Sequence, residues 1–352
     1  MSFRFRGTGL VRSAPLLRRG GAVGAFVKDL ARGVVIGAGL SAVAWADEGV
    51  TMASPALTLY SPAPPSIMLH DHNVALGEAL HGCGIPNTVV PQALPQSITQ
   101  FADAADDEKK YHLPIVTTID FLPAIHDGGP AWHSYGRPYQ DLKFVSSLYD
   151  VAFGVLAFVD AIRSPEDLKG KRIAAPPRPS AVRVYTEALF RDGWGILEDV
   201  ELIDLKPNEI TAAINGGAID ATSWNLISLV ADGPRPMVPS LLEIEGARWI
   251  PVSSAALRRL NDANAFQVSK STYSPTVGDD VELLSFRQAL AVWAATPDET
   301  VSAILACLKN KGTVTAALPR TPEAMVAWPG LKAEHIHKAA LDFFANHGLK
   351  LD

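Results

Sequence analysis

Short apolar segments alternate with amphipathic segments along most of this chain, and this alternation limits the folds open to it. Residues 172–175 (RIAA), 200–205 (VELIDL) and 219–224 (IDATSW) are predicted strands, and residues 180–192 and 208–214 between them are predicted helices. Strands that are separated by helices favour parallel pairing in a sheet that the helices cover. We therefore predict an α/β fold, in which ligands collect where the strands end.

The flanking segments continue this pattern. Further strands are predicted over residues 56–60, 88–91 and 113–119, and further helices over residues 73–82 and 97–110. The apolar run at residues 144–159 is expected to form two strands that meet at Asp150. With 352 residues, of which 48% are hydrophobic, the chain is long enough to bury more than one core. We therefore expect two lobes.

A helix start is encoded at Ser164. Pro165 suits the first helical position, and Asp167 can return a hydrogen bond to the backbone of Ser164, as in a capping box. The sequence therefore predicts a short capped turn that leads into the strand at residues 172–175.

Residues 1–46 have the pattern of a secretory signal peptide. A basic segment precedes the apolar run GVVIGAGLSAVAWA at residues 33–46, which is too short to span a bilayer of about 30 Å as a helix. Ala44 and Ala46 form a small-residue cleavage site. The alternative is an uncleaved membrane anchor. We expect the signal peptide to be removed on export to the periplasm and residues 47–54 to form a disordered linker.

The rest of the chain is acidic. Residues 1–46 contain seven Lys and Arg residues and one acidic residue, so their removal changes the formal net charge from −6 to −12. Binding to nucleic acid requires clustered Lys and Arg side chains, which displace counterions from the phosphates. We therefore expect no nucleic-acid partner.

Catalytic and metal-binding patterns are absent from the sequence. It contains no G-x-S-x-G nucleophile turn, no suggestive pair of carboxylates at strand ends and no glycine-rich phosphate fingerprint. His70 with His72, and His335 with His337, supply only two ligands each, whereas zinc normally takes three or four. We therefore expect neither an enzyme nor a metal site, and no cofactor. The second histidine pair is expected to cap and pack the start of a C-terminal helix.

Four segments, in this order, carry a family resemblance. They are SPEDLKGKRIAAPPRPSAV from residue 164, GWGILEDVELIDLKPNEITAAINGGAIDA from residue 193, STYSP from residue 271 and HIHKAALDFFANHGL from residue 335. Together they resemble the NMT1-like solute receptors of TAXI-type tripartite ATP-independent periplasmic (TRAP) transporters. The DLKGKR segment alone is shared with receptors of ABC importers for sulfonates, pyrimidine precursors or aromatic acids, which are the alternative.

The resemblance implies a periplasmic binding protein-like II fold, with two hinge-linked α/β lobes whose sheets are mainly parallel. Residues 55–150 and 255–352 would form the first lobe, and residues 151–254 the second. Such a receptor closes over a small solute, here an organic acid or amino acid, and delivers it as a monomer to membrane permease subunits. The implied topology places Cys83 and Cys307 in one lobe, where they can pair, although two buried thiols remain the alternative.

The segment PPRPSAV departs from the family, which has glycine and serine in this turn. Arg178 would lie after the strand at residues 172–175 and at a helix start that Ser180 can cap, where unpaired N–H groups favour an anion. A guanidinium there can hold a carboxylate in a two-pronged pair. Alternatively, Arg178 is an exposed loop residue. Arg183, one turn further along, is expected on the solvated face of the helix.

Other candidate ligand-binding residues lie at strand ends or near the expected cleft. Thr117 and Thr118 can donate hydroxyl groups, or cap the next helix. Trp224 can form an apolar wall of the site or fill the core. The remaining candidates are Ser97, Asn225, Tyr149, Tyr273 and His70, of which the two tyrosines can equally pack at the hinge.

Overall fold

The computed structural model describes residues 56–65, 67–126, 135–178, 180–224, 226–230, 232–264, 268–273, 280–311, 318–319, 321–326 and 331–349. The predicted signal peptide and linker lie outside these residues, and so does Asn225.

The larger of two sheets in the described part has eight strands in the order β10-β9-β4-β13-β3-β1-β2, with β12 paired to β13. The strands are β1 (Leu57–Ser61), β2 (Asn87–Pro91), β3 (His112–Thr117), β4 (Leu142–Phe153), β9 (Leu226–Val230), β10 (Gly233–Pro236), β12 (Ser269–Tyr273) and β13 (Val281–Trp293). Strands β4 and β13 are almost entirely buried along their length. This burial agrees with their mainly apolar sequences.

The smaller sheet has five strands in the order β11-β5-β8-β6-β7. They are β5 (Val155–Ala157), β6 (Arg172–Ala175), β7 (Glu201–Asp204), β8 (Ala221–Thr222) and β11 (Arg248–Ile250). We call the large sheet with its helices the first lobe and the small sheet with its helices the second lobe. The predicted two-lobed α/β fold is confirmed.

Both sheets are mixed, whereas mainly parallel sheets were expected. Strands β1, β2 and β3 are parallel, and so are β6, β7 and β8, which are the βα units that the sequence pattern indicates. The remaining pairs are antiparallel, among them β4 with β13 in the middle of the large sheet and β5 with β8 in the small one. Strands β9 and β10 also belong to the large sheet, so the chain crosses between sheets more often than the predicted lobe limits imply. Those limits stay a prediction.

Ten α-helices surround the two sheets in the described part of the chain. They are α1 (Met68–His81), α2 (Gln96–Thr99), α3 (Asp106–Lys109), α4 (Thr118–His126), α5 (Ala181–Ala188), α6 (Pro207–Asn215), α7 (Ser254–Asn264), α8 (Asp298–Lys311), α9 (Pro322–Val326) and α10 (Lys338–Asn346). None of the described helices is long and apolar enough to cross a membrane.

Two helix predictions need correction. The helix expected over residues 97–110 is broken into α2 and α3. The helix expected to end at Gly193 continues from α5 into a π-helical turn, Leu189–Trp194. It ends at Gly195, whose φ of 72° suits glycine because that residue has no Cβ.

The expected break at Asp150 is wrong, because β4 runs through this residue. Asp150 lies opposite Arg287 on β13, and its carboxylate accepts hydrogen bonds from the Arg287 guanidinium at 2.5 and 2.7 Å. The chain passes from the large sheet to the small one at Gly154, between β4 and β5. A Cβ atom at Gly154 would lie 2.7 Å from the Leu283 side chain and 3.1 Å from the Trp249 ring, so a side chain there would have to displace one residue from each lobe.

The predicted caps at Ser164 and His337 are present. The turn Pro165–Leu168 begins at a capping box in which the Asp167 carboxylate accepts from the Ser164 backbone N–H at 2.9 Å. His337 caps α10, because its Nδ1 accepts from the Ala339 N–H at 3.3 Å.

A disulfide joins Cys83 to Cys307 across 224 positions of sequence. It links the end of α1 to α8 within the first lobe. Of the two possibilities that the sequence left open, the disulfide is therefore the one observed.

Candidate functional site

A cleft of about 460 Å³ lies between the two lobes. The first lobe lines it with Pro62, Ala63, Pro64, Ile67, Leu69, Ala93, Leu94, Thr117, Leu226, Phe286 and Gln288. The second lobe lines it with Pro177, Ser180, Ala181, Val182, Tyr185, Lys206, Pro207, Asn208 and Trp224. The cleft is therefore a mainly apolar space with a few polar side chains, as is common for sites that bind small molecules.

Strand ends build the cleft on both sides. In the first lobe, β1 leads into the proline-rich turn at residues 62–64, and β3 ends at Thr117. In the second lobe, β6 precedes Pro177 and β7 precedes Lys206. Parallel strands bring their carboxyl ends to one edge of a sheet, so a site at this edge follows from the fold.

Lys206 is the one Lys or Arg that lines the cleft in the described part of the chain. It lies exposed between β7 and the start of α6. The start of α6 is already capped, because the Lys206 backbone N–H donates to the Glu209 carboxylate at 2.7 Å, so the positive charge that this side of the cleft offers is the Lys206 ammonium group. The geometry therefore favours a negatively charged group at this side of the cleft.

A buried carboxylate lies behind the cleft wall. Asp120 is 1% exposed, and its Oδ2 accepts hydrogen bonds from the hydroxyl groups of Thr117 and Tyr185, the latter at 3.1 Å. Burial, together with the negative charge of Asp120, raises the pKa of Tyr185 well above its usual value. Tyr185 therefore stays protonated and donates. Because Tyr185 lies on α5 and Asp120 on α4, this hydrogen bond connects the two lobes.

Gln288 is the other polar side chain of the first lobe that lines the cleft in the described part. It lies on β13 opposite Thr117 of β3 and is 2% exposed. Its Oε1 has no hydrogen-bond partner among the described residues. A residue that lines the cleft thus carries a buried amide oxygen without a donor among the described residues.

Three of the predicted ligand-binding residues line the cleft: Thr117, Ser180 and Trp224. The hydroxyl of Thr117 donates to Asp120. Ser180 precedes α5 but its side chain does not cap that helix. Trp224 lines the cleft and packs in the core of the second lobe, where its Nε1 donates to the Leu205 carbonyl at 2.6 Å; a ligand-binding role for it stays a prediction.

Arg178 lies on the predicted turn but is not among the residues that line the cleft. Its side chain is 61% exposed and its guanidinium lies 2.5 Å from the carboxylate of Glu187. The same carboxylate lies 2.6 Å from Arg183, whose side chain is only 12% exposed. The expectation that Arg183 lies on a solvated face is therefore wrong, since ion pairs to Glu187 and Asp204 hold it against the lobe. A ligand-binding role for Arg178 stays a prediction.

The other predicted residues that the structure describes do not line the cleft. Thr118 Oγ1 accepts from the Arg287 backbone N–H at 3.1 Å. Tyr149 packs edge-on against the His72 ring at 5.1 Å, and Tyr273 packs against Trp249 at 5.9 Å.

Ser97 and His70 are also buried away from the cleft wall, on α2 and α1. The Nδ1 of His70 and the Oγ of Ser97 have no hydrogen-bond partner within the described ranges. Ligand-binding roles stay predictions for Thr118, Tyr149, Tyr273, Ser97 and His70.

Sequence reasoning missed Lys206, Tyr185 and Gln288. The signal for Lys206 was present, because it follows the predicted strand at residues 200–205 and precedes a helix. The same strand-end rule that selected Arg178 also applies to this loop. Tyr185 and Gln288 gave no such signal, because a tyrosine inside an amphipathic helix and a glutamine inside a strand are ordinary.

One family model matches part of the chain: the NMT1/THI5-like family, over residues 140–239. This segment runs from just before β4 to just after β10 and includes four of the five strands of the small sheet. No curated protein matches the chain.

Several solved structures are similar in fold. One is a TctC solute-binding protein from Polaromonas, with 14% identity over 84% of this chain and 89% of that one, and a TM-score of 0.43. Another is MatC from Rhodopseudomonas palustris with bound malate, with 12% identity over 76% of this chain and 92% of that one, and a TM-score of 0.44. A third is described as a periplasmic transporter, with 18% identity over 84% of this chain and 98% of that one, and a TM-score of 0.47.

Proposed function

We propose that this protein is a periplasmic solute-binding receptor that captures a small organic acid between its lobes and performs no chemistry. The observation that carries the proposal is the cleft of about 460 Å³ built from strand ends of both lobes, with Lys206 on its wall. A volume of this size suits a small molecule. The apolar lining indicates that the acid has an apolar body.

The charge distribution supports an acid as the ligand. Lys206 is a flexible cation that lines the cleft, and its ammonium group favours a carboxylate. The carboxylate of Asp120 lies behind the wall of the first lobe, where the hydroxyls of Thr117 and Tyr185 hold it. An anionic ligand group therefore belongs on the side of the second lobe.

The transporter class is part of the proposal. The four sequence segments in family order support a TAXI-type TRAP receptor that delivers its solute to a membrane permease. The second candidate is an ABC-importer receptor with an aromatic acid as the solute, which the apolar lining of the cleft favours. A neighbouring gene for a fused TRAP permease supports the first candidate, and neighbouring genes for an ATPase and a permease support the second.

Ligand-induced thermal stabilisation tests the function. A ligand at 100 times its dissociation constant stabilises the folded state by about 2.7 kcal/mol. A screen of small carboxylates, amino acids, sulfonates and neutral aromatic compounds is expected to select carboxylates with an apolar body. Equal stabilisation by the neutral analogue of each acid would contradict the proposal.

Two charge-removing variants then test the anion site. We expect Lys206→Gln to weaken carboxylate binding about tenfold, which corresponds to about 1.4 kcal/mol. Arg178→Gln removes one positive charge from the same lobe and is the matched comparison. If only Arg178→Gln weakens binding, the sequence-based prediction for Arg178 is right and the assignment of Lys206 is wrong.

A further inference from the structure

We infer that the ligand carries a hydrogen-bond donor at the end opposite its carboxylate and that this donor pairs with Gln288. The inference rests on the proposed function and names the substrate class: apolar monocarboxylic acids with a distal hydroxyl or N–H group. Such a ligand would link Lys206 of the second lobe to Gln288 of the first.

The first argument is the state of the Gln288 amide. The side chain is 2% exposed, lines the cleft, and has an Oε1 without a partner among the described residues. A buried acceptor without a donor costs about 1–3 kcal/mol. A ligand that supplies the donor recovers this cost, whereas a ligand without one leaves it in place.

The second argument is that the other hydroxyls at this wall are already used. Thr117 lies opposite Gln288 in the sheet, but its hydroxyl donates to Asp120. Tyr185 also donates to Asp120. Within the part of the chain that the structure describes, neither hydroxyl donates to Gln288. Turning the amide over exchanges its oxygen and nitrogen, and the oxygen then still needs a donor.

The third argument is the charge and polarity between the two ends. Phe286, Leu226 and Trp224 line the cleft and are buried, so the middle of the ligand is apolar. The first lobe contributes no described Lys or Arg to the cleft wall, and Asp120 lies close behind it. A second carboxylate at this end would be desolvated without a cation to pair with it. Dicarboxylates are therefore expected to bind more weakly than hydroxy acids of the same length.

Matched ligands test the inference by calorimetry on the full mature chain. The probes are 4-hydroxyphenylacetate against phenylacetate, and 6-hydroxyhexanoate against hexanoate and adipate. We expect the hydroxy acid of each pair to bind about tenfold more tightly to the wild-type protein. If the unsubstituted acids bind equally well or better, the inference is overturned while the proposed function stands. If no acid binds, both fail.

A variant at position 288 shows whether Gln288 causes the preference. Gln288→Met keeps the length of the side chain and removes its hydrogen-bonding groups, so it is expected to abolish the preference for the hydroxy acid. Because it also removes an unpaired buried oxygen, we expect the unliganded variant to melt no earlier than the wild type. Gln140→Met, at an exposed position, is the matched control and should leave the preference intact. A tenfold preference that persists in Gln288→Met would assign the donor to another partner.

Discussion

Removal of the Cys83–Cys307 disulfide is expected to lower the stability of the protein strongly without changing ligand affinity. The bond closes a loop across 224 positions, and the loop-entropy relation gives about 5 kcal/mol for a loop of this length. Substitution of both cysteines by alanine leaves small residues at one buried and one exposed position, so the lost cross-link is the main change. Affinity should not change, because Cys83 follows the end of α1, whereas Ile67 and Leu69, at its other end, line the cleft.

Urea denaturation followed by tryptophan fluorescence measures this effect. The free energy of unfolding of Cys83→Ala/Cys307→Ala is compared with that of the oxidised wild type, and with that of the wild type in a reducing agent. The reduced wild type should resemble the double variant, since both lack the cross-link. If the free energy of unfolding of the double variant lies within about 1 kcal/mol of that of the oxidised protein, the entropic reasoning is refuted, because the loop-entropy relation gives several times that difference.

Two further substitutions test the N-terminal cap of α10 and the point where the chain crosses between the sheets. Burial lowers the pKa of His337 below its usual 6.5, so the unfolded state binds the proton more readily and stability is lost as pH falls below about 6.5. We expect His337→Asn, which keeps a capping group, to reduce this pH dependence in urea titrations between pH 5 and 7.5; an unchanged slope would show that other groups dominate. Gly154→Ala places a Cβ atom 2.7 Å from Leu283, which should cost about 1–3 kcal/mol. Gly82→Ala, whose Cβ atom would approach no atom more closely than 3.4 Å, is the control, and equal effects of the two changes would contradict the crowding at Gly154.

Local sequence signals were sufficient for much of the fold. The strand at residues 172–175, the capping box at Ser164 and the helices at Pro207–Asn215 and Lys338–Asn346 depend on neighbouring residues, and the structure contains all of them. Partners far apart in sequence could not be predicted in the same way. Asp150 suggested a break in an apolar run, but Arg287, more than a hundred residues later, neutralises it inside a continuous strand.

The same distinction applies to the site. The rule that ligands lie at strand ends depends on topology alone, and the loops that it selects include residues that line the cleft. Which of the two cations, Arg178 or Lys206, lines the cleft depends on neighbours that the sequence does not reveal. Glu187, nine positions after Arg178 and four after Arg183, holds both guanidinium groups on one face of α5. No described ion pair holds the Lys206 ammonium group, although its backbone N–H donates to the Glu209 carboxylate at 2.7 Å, and Lys206 lines the cleft.

The position of β13 has a consequence for how the chain reaches its native state. This strand, Val281–Trp293, lies between β3 and β4, yet the whole second lobe is synthesised before it. Until β13 emerges, the facing edges of β3 and β4 expose unpaired backbone N–H and C=O groups, which readily accept strands from other chains. A chain truncated before Val281 should therefore aggregate. Late arrival of this central strand therefore delays completion of the large sheet until nearly the whole chain is available.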